Sequence, residues 1–151
     1  MTRAGGWARA AGALAVVVAL DQATKLAVDA HLDRGESTNV FFGLDLTNTR
    51  NTGVAFGALE GKGGIIGLLI VAALVALVGW FAVNAARPWL WVPVGMLLGG
   101  AIGNLIDRAR EGAVIDFIDP VGWPAFNIAD SSIVIGVLAL LYVVEGPPQK
   151  T

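Results

Sequence analysis

The chain contains four long apolar stretches, and these restrict its fold more than any other feature. They run from about Trp7 to Val28, from Gly63 to Val83, from Pro88 to Ile106 and from Asn127 to Val144. A helix that crosses the hydrocarbon core of a bilayer needs about 20 mostly apolar residues. The pattern therefore predicts an all-α integral membrane protein with four transmembrane helices.

The composition agrees with this interpretation. Hydrophobic residues make up 56% of the 151 residues and charged residues only 15%, and the mean hydropathy is +0.70, which is more apolar than a soluble domain of this length. The net charge is -2 and no basic cluster is present, so nucleic acid is not an expected partner. The absence of cysteine excludes disulfides and thiolate metal sites. We expect one domain, residues 1–151, surrounded by membrane lipids.

The first apolar stretch has two interpretations. Arg3 and Arg9 precede an apolar run, as in a cleaved signal peptide. Asp21 and Lys25 interrupt that run, and charged residues inside a membrane segment usually have a function. We therefore predict an uncleaved first transmembrane helix.

Four membrane crossings place both termini on one side, and the loops 29–62 and 107–126 together on the other. Only "NAAR" separates the second and third segments, so they should form an antiparallel hairpin, with Pro88 in the first turn of the third helix. Basic residues are divided almost evenly between the two sides, so a positive-inside count does not decide the orientation. Arg3 and Arg9, ahead of the first helix, favour cytoplasmic termini.

Two segments outside the apolar stretches alternate as strands do. In "NVFFGLDLT", apolar residues recur at every second position, which predicts a short strand or hairpin. The following "NTRNTGVAFG" is rich in turn formers around Asn51 and Gly53, and its "VAF" could enter the membrane interface. The second alternating segment is "EGAVIDFIDP". We expect a small sheet and loop subdomain on the side of the two loops.

The second alternating segment places Asp116 and Asp119 on opposite faces. Asp119 precedes Pro120 and is interpreted as a turn former, whereas Asp116 lies among apolar residues without such a role. Its candidate partner is Asp130, at the start of the fourth apolar stretch. The structural alternative for Asp130 is a helix cap or first-turn acid, although Asn127 already offers a capping oxygen.

Two carboxylates that lie close together in apolar surroundings share a proton. One member can then take a proton from an attacking water while the other donates a proton to the oxyanion or leaving nitrogen. Asp116 and Asp130 are therefore the candidate catalytic residues. The only histidine, His31, is isolated, so we expect neither a metal nor another cofactor.

Other polar residues flank this pair. Asp21 and Lys25 share one helix face and form either a structural ion pair or a site in which Lys25 takes part directly. Near the end of the third stretch, Asn104 and Arg108 share a face, with Asp107 beside them. Arg108 is either a ligand for a polar head or carboxylate, or an ordinary partner of the helix C-terminus.

Three glycines in the third stretch, Gly95, Gly99 and Gly103, are spaced by four residues. Such a face of small residues lets another helix approach closely.

The motifs "DQATKL", "NTRNTGVAFG", "GGAIGNLIDRAREGAVIDF" and "PAFNIADSS", in this order between the apolar stretches, resemble the bacterial lipoprotein signal peptidases (signal peptidase II). The resemblance covers roughly Leu20 to Gly136. It implies four transmembrane helices with cytoplasmic termini, and a small extracytoplasmic sheet with a short helix. It also implies an aspartic endopeptidase of the bacterial inner membrane whose catalytic residues are Asp116 and Asp130.

The substrates that this resemblance implies are prolipoproteins with a diacylglyceryl-modified cysteine, which are cut just before that cysteine. The other matching polar positions are Asp21, Lys25, Asn51, Gly53, Asn104, Asp107, Arg108 and Asn127. Among them, Asn51, Arg108 and Asn127 are assigned to orienting the substrate or supporting the dyad. Val54 replaces a small residue of the family motif, and we expect "RNTGVAFG" to cover the site of a monomeric enzyme.

Three alternatives remain open at this point. The first is a proton-coupled or ion-coupled carrier that uses membrane carboxylates, and the second is a noncatalytic scaffold that packs through its glycine face. The third is a hydrolase in which Ser131 or Ser132 acts with Lys25.

Overall fold

The computed structural model describes residues 1–53 and 63–146, without the side chains of residues 63–68. Within this part, the chain forms four helices and three strands. The helices are α1 (Arg3–His31), α2 (Gly63–Asn84), α3 (Trp91–Glu111) and α4 (Ile128–Glu145). The strands are β1 (Ser37–Phe41), β2 (Leu44–Asn51) and β3 (Val114–Pro120). The protein is thus mostly helical with a small sheet, as the sequence predicts.

Two of these helices, α1 and α4, are long and apolar enough to cross a membrane. In α2, the apolar part with described side chains, Leu69–Asn84, is shorter, and α3 ends in a charged turn. By length and composition, two of the four predicted transmembrane helices are therefore confirmed as able to cross a membrane. Large apolar side chains nevertheless cover the outside of the bundle, such as Val16 of α1, Val75 of α2 and Leu138 of α4, which are 58%, 66% and 61% exposed.

The boundaries of α3 differ from the prediction at both ends. Pro88 lies in the turn before the helix, because the next residue, Trp89, has a left-handed φ of 64° that a helix cannot contain. The placement of Pro88 in the first helical turn is therefore wrong. At its other end, α3 continues past Ile106 to Glu111 and stops at Gly112, whose φ is 70°. The loop predicted to begin at residue 107 thus begins with one more helical turn.

Close packing of the helices depends on the glycines of α3. A Cβ atom added to Gly95 would lie 2.6 Å from the Cβ of Ala13 in α1, and one added to Gly99 would lie 2.8 Å from the Cβ of Val17. On the other side of α3, a Cβ at Gly100 would clash with the carbonyl oxygen of Ala129 in α4. The predicted small-residue face is confirmed, and it brings the backbone of α1 against α3. Gly100, which was not part of the prediction, gives α4 the same close approach.

The three strands form an antiparallel sheet in the order β1-β2-β3. The predicted hairpin is β1 with β2, and the second alternating segment is β3, which pairs with β2. Asp119 and Pro120 both belong to β3, and Asp119 stands opposite Asp45, so the turn begins only at Val121. The assignment of Asp119 as a turn former is wrong. An edge strand tolerates the missing N–H of Pro120.

Candidate active site

Asp116 occupies the third position of β3 and is 2% exposed. Its Oδ2 atom accepts a hydrogen bond from the Asn51 side-chain amide at 3.0 Å, and its Oδ1 atom accepts one from the Asn127 amide at 2.8 Å. Asn51 reaches Asp116 because β2 pairs with β3 here, with Asn51 opposite Val114. The sheet therefore supplies both the buried carboxylate and one of its two amide donors.

Asp130 lies in the first turn of α4 and is half-buried. Its Oδ1 atom accepts a hydrogen bond from the Asn104 amide at 2.7 Å. Its backbone N–H donates to Oδ1 of Asn127, the N-cap of α4, at 2.8 Å. Asp130 itself is therefore not the residue whose side chain caps the helix, and its carboxylate remains available for chemistry.

Asn104 and Asn127 connect the two carboxylates. The Asn127 amide donates to Oδ1 of Asn104 at 3.1 Å, in addition to its bond to Asp116. Asn104 in turn donates to Asp130. The result is an unbroken chain of hydrogen bonds from Asp116 through two buried amides to Asp130. The two candidate catalytic residues therefore belong to one site, although they come from a strand and a helix.

Burial raises the pKa of Asp116 above its ordinary value, and it is the largest influence on this group. The hydrogen bond from Asn51 lowers the pKa, the negative charge of Asp130 raises it, and Asn127 and Lys25 lower it by smaller amounts. Burial disfavours the charged form of a carboxyl group, and a neighbouring carboxylate adds to this effect. Asp116 therefore keeps its proton to a higher pH than an exposed aspartate.

Lys25 lies behind this pair, and only 1% of it is exposed. Its Nζ atom is 2.8 Å from Oδ2 of Asp21 and 2.6 Å from Oδ2 of Asp107, and it donates to Oδ1 of Asn104 at 3.1 Å. The predicted pair of Asp21 and Lys25 is confirmed as part of a larger buried cluster. Ser131, which one alternative pairs with Lys25, donates its hydroxyl hydrogen bond to the backbone carbonyl of Asn127 at 3.0 Å.

An open groove of about 310 Å³ gives access to Asp116. It is bounded by residues 49–52 along the end of β2, by Asp116, and by Pro124 and Ala125. The groove therefore reaches the carboxylate from the sheet side, between β2 and the turn that follows β3.

Gly53, Arg108 and Val54 are the remaining residues that the sequence motifs singled out. Gly53 has a φ of 80°, and its N–H donates to Oδ1 of Asn51 at 2.9 Å, which forms the predicted turn. Arg108 is exposed in the last turn of α3, and in the described part of the chain no hydrogen bond or ion pair of its side chain is found. Val54 and the rest of "VAFG" lie outside the described residues.

The site also contains polar residues that the sequence motifs did not point to. Gln22 donates to Oδ1 of Asp107 at 2.9 Å and to the carbonyl of Gly103 at 3.2 Å. Asp29 forms an ion pair with Arg50 and so ties β2 to α1. Position 29 follows Lys25 by four residues on the same face of α1, and this spacing was a usable signal. Within the described residues, no group of three or more His, Cys, Asp or Glu side chains is placed to hold a metal ion.

Comparison with known proteins shows which family the chain belongs to. Residues 13–144 match the family model of signal peptidase (SPase) II. The chain belongs to the signal peptidase II family. A lipoprotein signal peptidase of Pelotomaculum thermopropionicum is 40% identical over 145 residues, which cover 91% of this chain and 92% of that protein. One from Syntrophomonas wolfei is 42% identical over 134 residues, which cover 88% and 90%.

Solved structures extend the likeness to the fold. A bacterial membrane enzyme solved at 1.9 Å resolution superposes with a TM-score of 0.79 and 35% sequence identity, over 94% of both chains. A second bacterial membrane enzyme gives a TM-score of 0.77 and 33% identity, over 94% of this chain and 93% of the other. The predicted resemblance to signal peptidase II is thus confirmed, and the apolar exterior of the bundle fits a membrane protein of this family.

Proposed function

We propose that this chain is an aspartic endopeptidase that removes signal peptides from prolipoproteins whose cysteine carries diacylglycerol, by cutting on the N-terminal side of that cysteine. The observation that carries the proposal is the hydrogen-bonded chain between Asp116 and Asp130, which joins a buried carboxylate to a half-buried one. Membership of the signal peptidase II family supports the substrate class. The names of the relatives, lipoprotein signal peptidases, support it as well.

In the proposed reaction, a water molecule lies between the two carboxyl groups, one ionised and one protonated. The ionised carboxylate takes a proton from the water as its oxygen attacks the scissile carbonyl carbon. The protonated carboxyl group donates its proton when the C–N bond breaks, so the leaving nitrogen departs as an amine. The dyad then holds one proton again, because one was gained and one was given away. The raised pKa of Asp116 favours retention of that shared proton.

The placement of the site supports a reaction at the membrane edge. Lys25 lies in the last third of α1, Asn104 near the end of α3 and Asp130 at the start of α4. We propose that all four helices cross the inner membrane as one domain, residues 1–151, with both termini in the cytoplasm. The dyad then lies near the extracytoplasmic face. Carboxylates that couple transport tend to lie near the midplane on interrupted helices, so the position of this pair favours a hydrolase over a carrier.

The lipid part of the substrate requires an apolar surface next to the groove. Exposed apolar side chains of the helices provide such surfaces within the bilayer, and the acyl chains of the substrate lie in the same hydrocarbon region. We propose that the peptide lies in the groove along β2, with Asn51 and Gly53 at its end. Arg108 is proposed to bind a polar group of the substrate from outside the cluster. The enzyme needs no metal for this chemistry, and we expect it to act as a monomer.

A cleavage assay with matched substrates tests this proposal. Purified protein in lipid is incubated with a prolipoprotein that carries diacylglycerol on its cysteine, and with the same protein without the lipid. Mass spectrometry should show a new N-terminal cysteine only for the lipidated substrate. A variant with Ser131→Ala and Ser132→Ala should cleave normally. Equal cleavage of both substrates would remove lipid recognition from the proposal, and a product cut elsewhere would contradict the assigned bond.

A further inference from the structure

Each of the three polar groups that contact the Lys25 ammonium also binds Asp130 or the residue directly before a member of the proposed dyad. The ammonium contacts Asp21, Asp107 and Asn104, at distances between 2.6 and 3.1 Å. These groups come from α1 and from two turns of α3, and all of them are nearly or fully buried. A buried cation of this kind is expensive unless its partners are well placed. The positions of these partners indicate the role of the positive charge of Lys25.

The two carboxylates beside Lys25 each bind the backbone immediately before one member of the dyad. Oδ1 of Asp21 accepts a hydrogen bond from the N–H of Ala129 at 2.9 Å, one residue before Asp130. Oδ2 of Asp107 accepts one from the N–H of Ile115 at 3.2 Å, one residue before Asp116. Lys25 lies between these two carboxylates and draws them together. The position of α4 relative to β3, and so the spacing of the dyad, therefore depends on this cation.

Lys25 also determines which way the Asn104 amide faces. The amide oxygen of Asn104 accepts from Lys25 and from Asn127, both at 3.1 Å, while its nitrogen donates to Asp130. A reversed amide would place its N–H groups against an ammonium and another amide donor. It would also place its oxygen against a carboxylate. Because an ammonium can only donate hydrogen bonds, it excludes that orientation and keeps a donor aimed at Asp130.

We propose that Lys25 is a positioning residue for the dyad. It holds Asp116 and Asp130 at their working separation through Asp107 and Asp21, and it fixes the amide of Asn104 as a donor to Asp130. Lys25 itself does not contact the reacting atoms. This inference rests on the proposed function, because it concerns the same two aspartates.

The test compares variants of the full-length protein in lipid on the lipidated substrate. Lys25→Met removes the charge and the donors at nearly the same length. We expect kcat to fall about 100-fold, since a small misplacement of catalytic groups costs this much. KM should stay within about threefold, because the groove along β2 is untouched. Arg110→Met, which removes an exposed cation at the end of α3, is the matched control and should keep both constants.

A double variant separates positioning from stability. Lys25→Met with Asp107→Asn removes one positive and one negative charge, so the net charge of the buried cluster is unchanged. Replacement of a whole buried ion pair by neutral residues is often tolerated, and an asparagine at position 107 can still accept from Ile115. We expect the double variant to unfold near the wild-type temperature and to retain the low kcat, because no ammonium then excludes the reversed orientation of the Asn104 amide.

Wild-type kcat in the double variant, or a loss expressed only in KM, would overturn the positioning role. Failure of both variants to fold would also overturn it, in favour of a role in stability alone. Asp116→Asn and Asp130→Asn are assayed alongside. If these two variants remain active, the proposed function itself fails. If they are inactive while the double variant is fully active, only the role of Lys25 fails.

Discussion

Asn127 is the residue at which the stability of α4 and the chemistry of the proposed dyad are most directly coupled. It is fully buried, and its Oδ1 atom accepts the N–H of Asp130 as the helix cap. Its amide nitrogen lies 2.8 Å from Asp116, 3.1 Å from Asn104 and 3.3 Å from the carbonyl of Ile115. A serine at this position can still cap the helix, but it is too short to replace the amide donors.

The magnitude of the effect of Asn127→Ser follows from these contacts. A hydrogen bond to a charged group contributes about 1.5–3 kcal/mol, and the weaker bonds to neutral oxygens add to that. We expect the free energy of unfolding to fall by about 2–4 kcal/mol. Asn127→Ala removes the cap as well and should cost about 1 kcal/mol more. The difference between the two variants isolates the cap from the contacts with the dyad.

We expect Asn127→Ser to change both kcat and the dependence of kcat on pH. The amide of Asn127 stabilises the ionised form of Asp116, so its loss raises the pKa of that carboxyl group further. The limb of the pH profile of kcat that reports Asp116 should therefore move to higher pH, and kcat should fall.

Thermal unfolding followed by tryptophan fluorescence, together with kcat measured across pH on the lipidated substrate, checks both parts. Wild-type stability and an unmoved pH profile in Asn127→Ser would mean that the Asn127 amide neither stabilises the fold nor stabilises the ionised form of Asp116.

Two further predictions follow from packing and from charge. Gly103→Ala should lower stability by about 1–3 kcal/mol and reduce kcat, since the new Cβ would lie 2.6 Å from Oδ2 of Asp21. The control is Gly12→Ala, which has no neighbour within 4 Å and should be neutral in the same unfolding and cleavage assays. Because the pKa of Asp116 is raised by burial, the folded state binds its proton more tightly than the unfolded chain, so this carboxyl group contributes stability at low pH that is lost as the pH rises from the unfolded to the folded pKa. Unfolding temperatures measured against pH should show that component in the wild type and not in Asp116→Asn, and parallel curves for the two proteins would contradict it.

Local patterns in the sequence predicted the parts of this site that depend on neighbours along the chain. The four-residue spacing of Asp21 and Lys25 predicted their ion pair. Alternation predicted β3 and a strand or hairpin where β1 and β2 are found, and the residue type of Asn127 offered a capping oxygen. These features follow from the periods of helices and strands. The glycine spacing of α3 likewise predicted that another helix would pack closely on it.

Contacts between residues that are far apart in the sequence could not be predicted from such local patterns. Asp21 binds the backbone of Ala129, 108 positions away, and Gln22 binds Asp107, 85 positions away. No spacing in the sequence encodes such pairs, because they depend on how α1, α3 and α4 pack together. For the same reason, Asn104 is recognisable in the sequence as a matching residue, but its bridge between Lys25 and Asp130 is not. The left-handed conformation of Trp89, which delays the start of α3, had no local signal either.

The proposed mechanism requires Asp116 and Asp130 to activate together the water that cuts the substrate. It is tested most directly by single-turnover cleavage of the diacylglyceryl-modified prolipoprotein with purified Asp116→Asn and Asp130→Asn, each first shown to fold and to bind the substrate. We expect either substitution to abolish cleavage, because one carboxyl group cannot both accept and donate the proton. Cleavage at the wild-type bond and near the wild-type rate by either variant would contradict it.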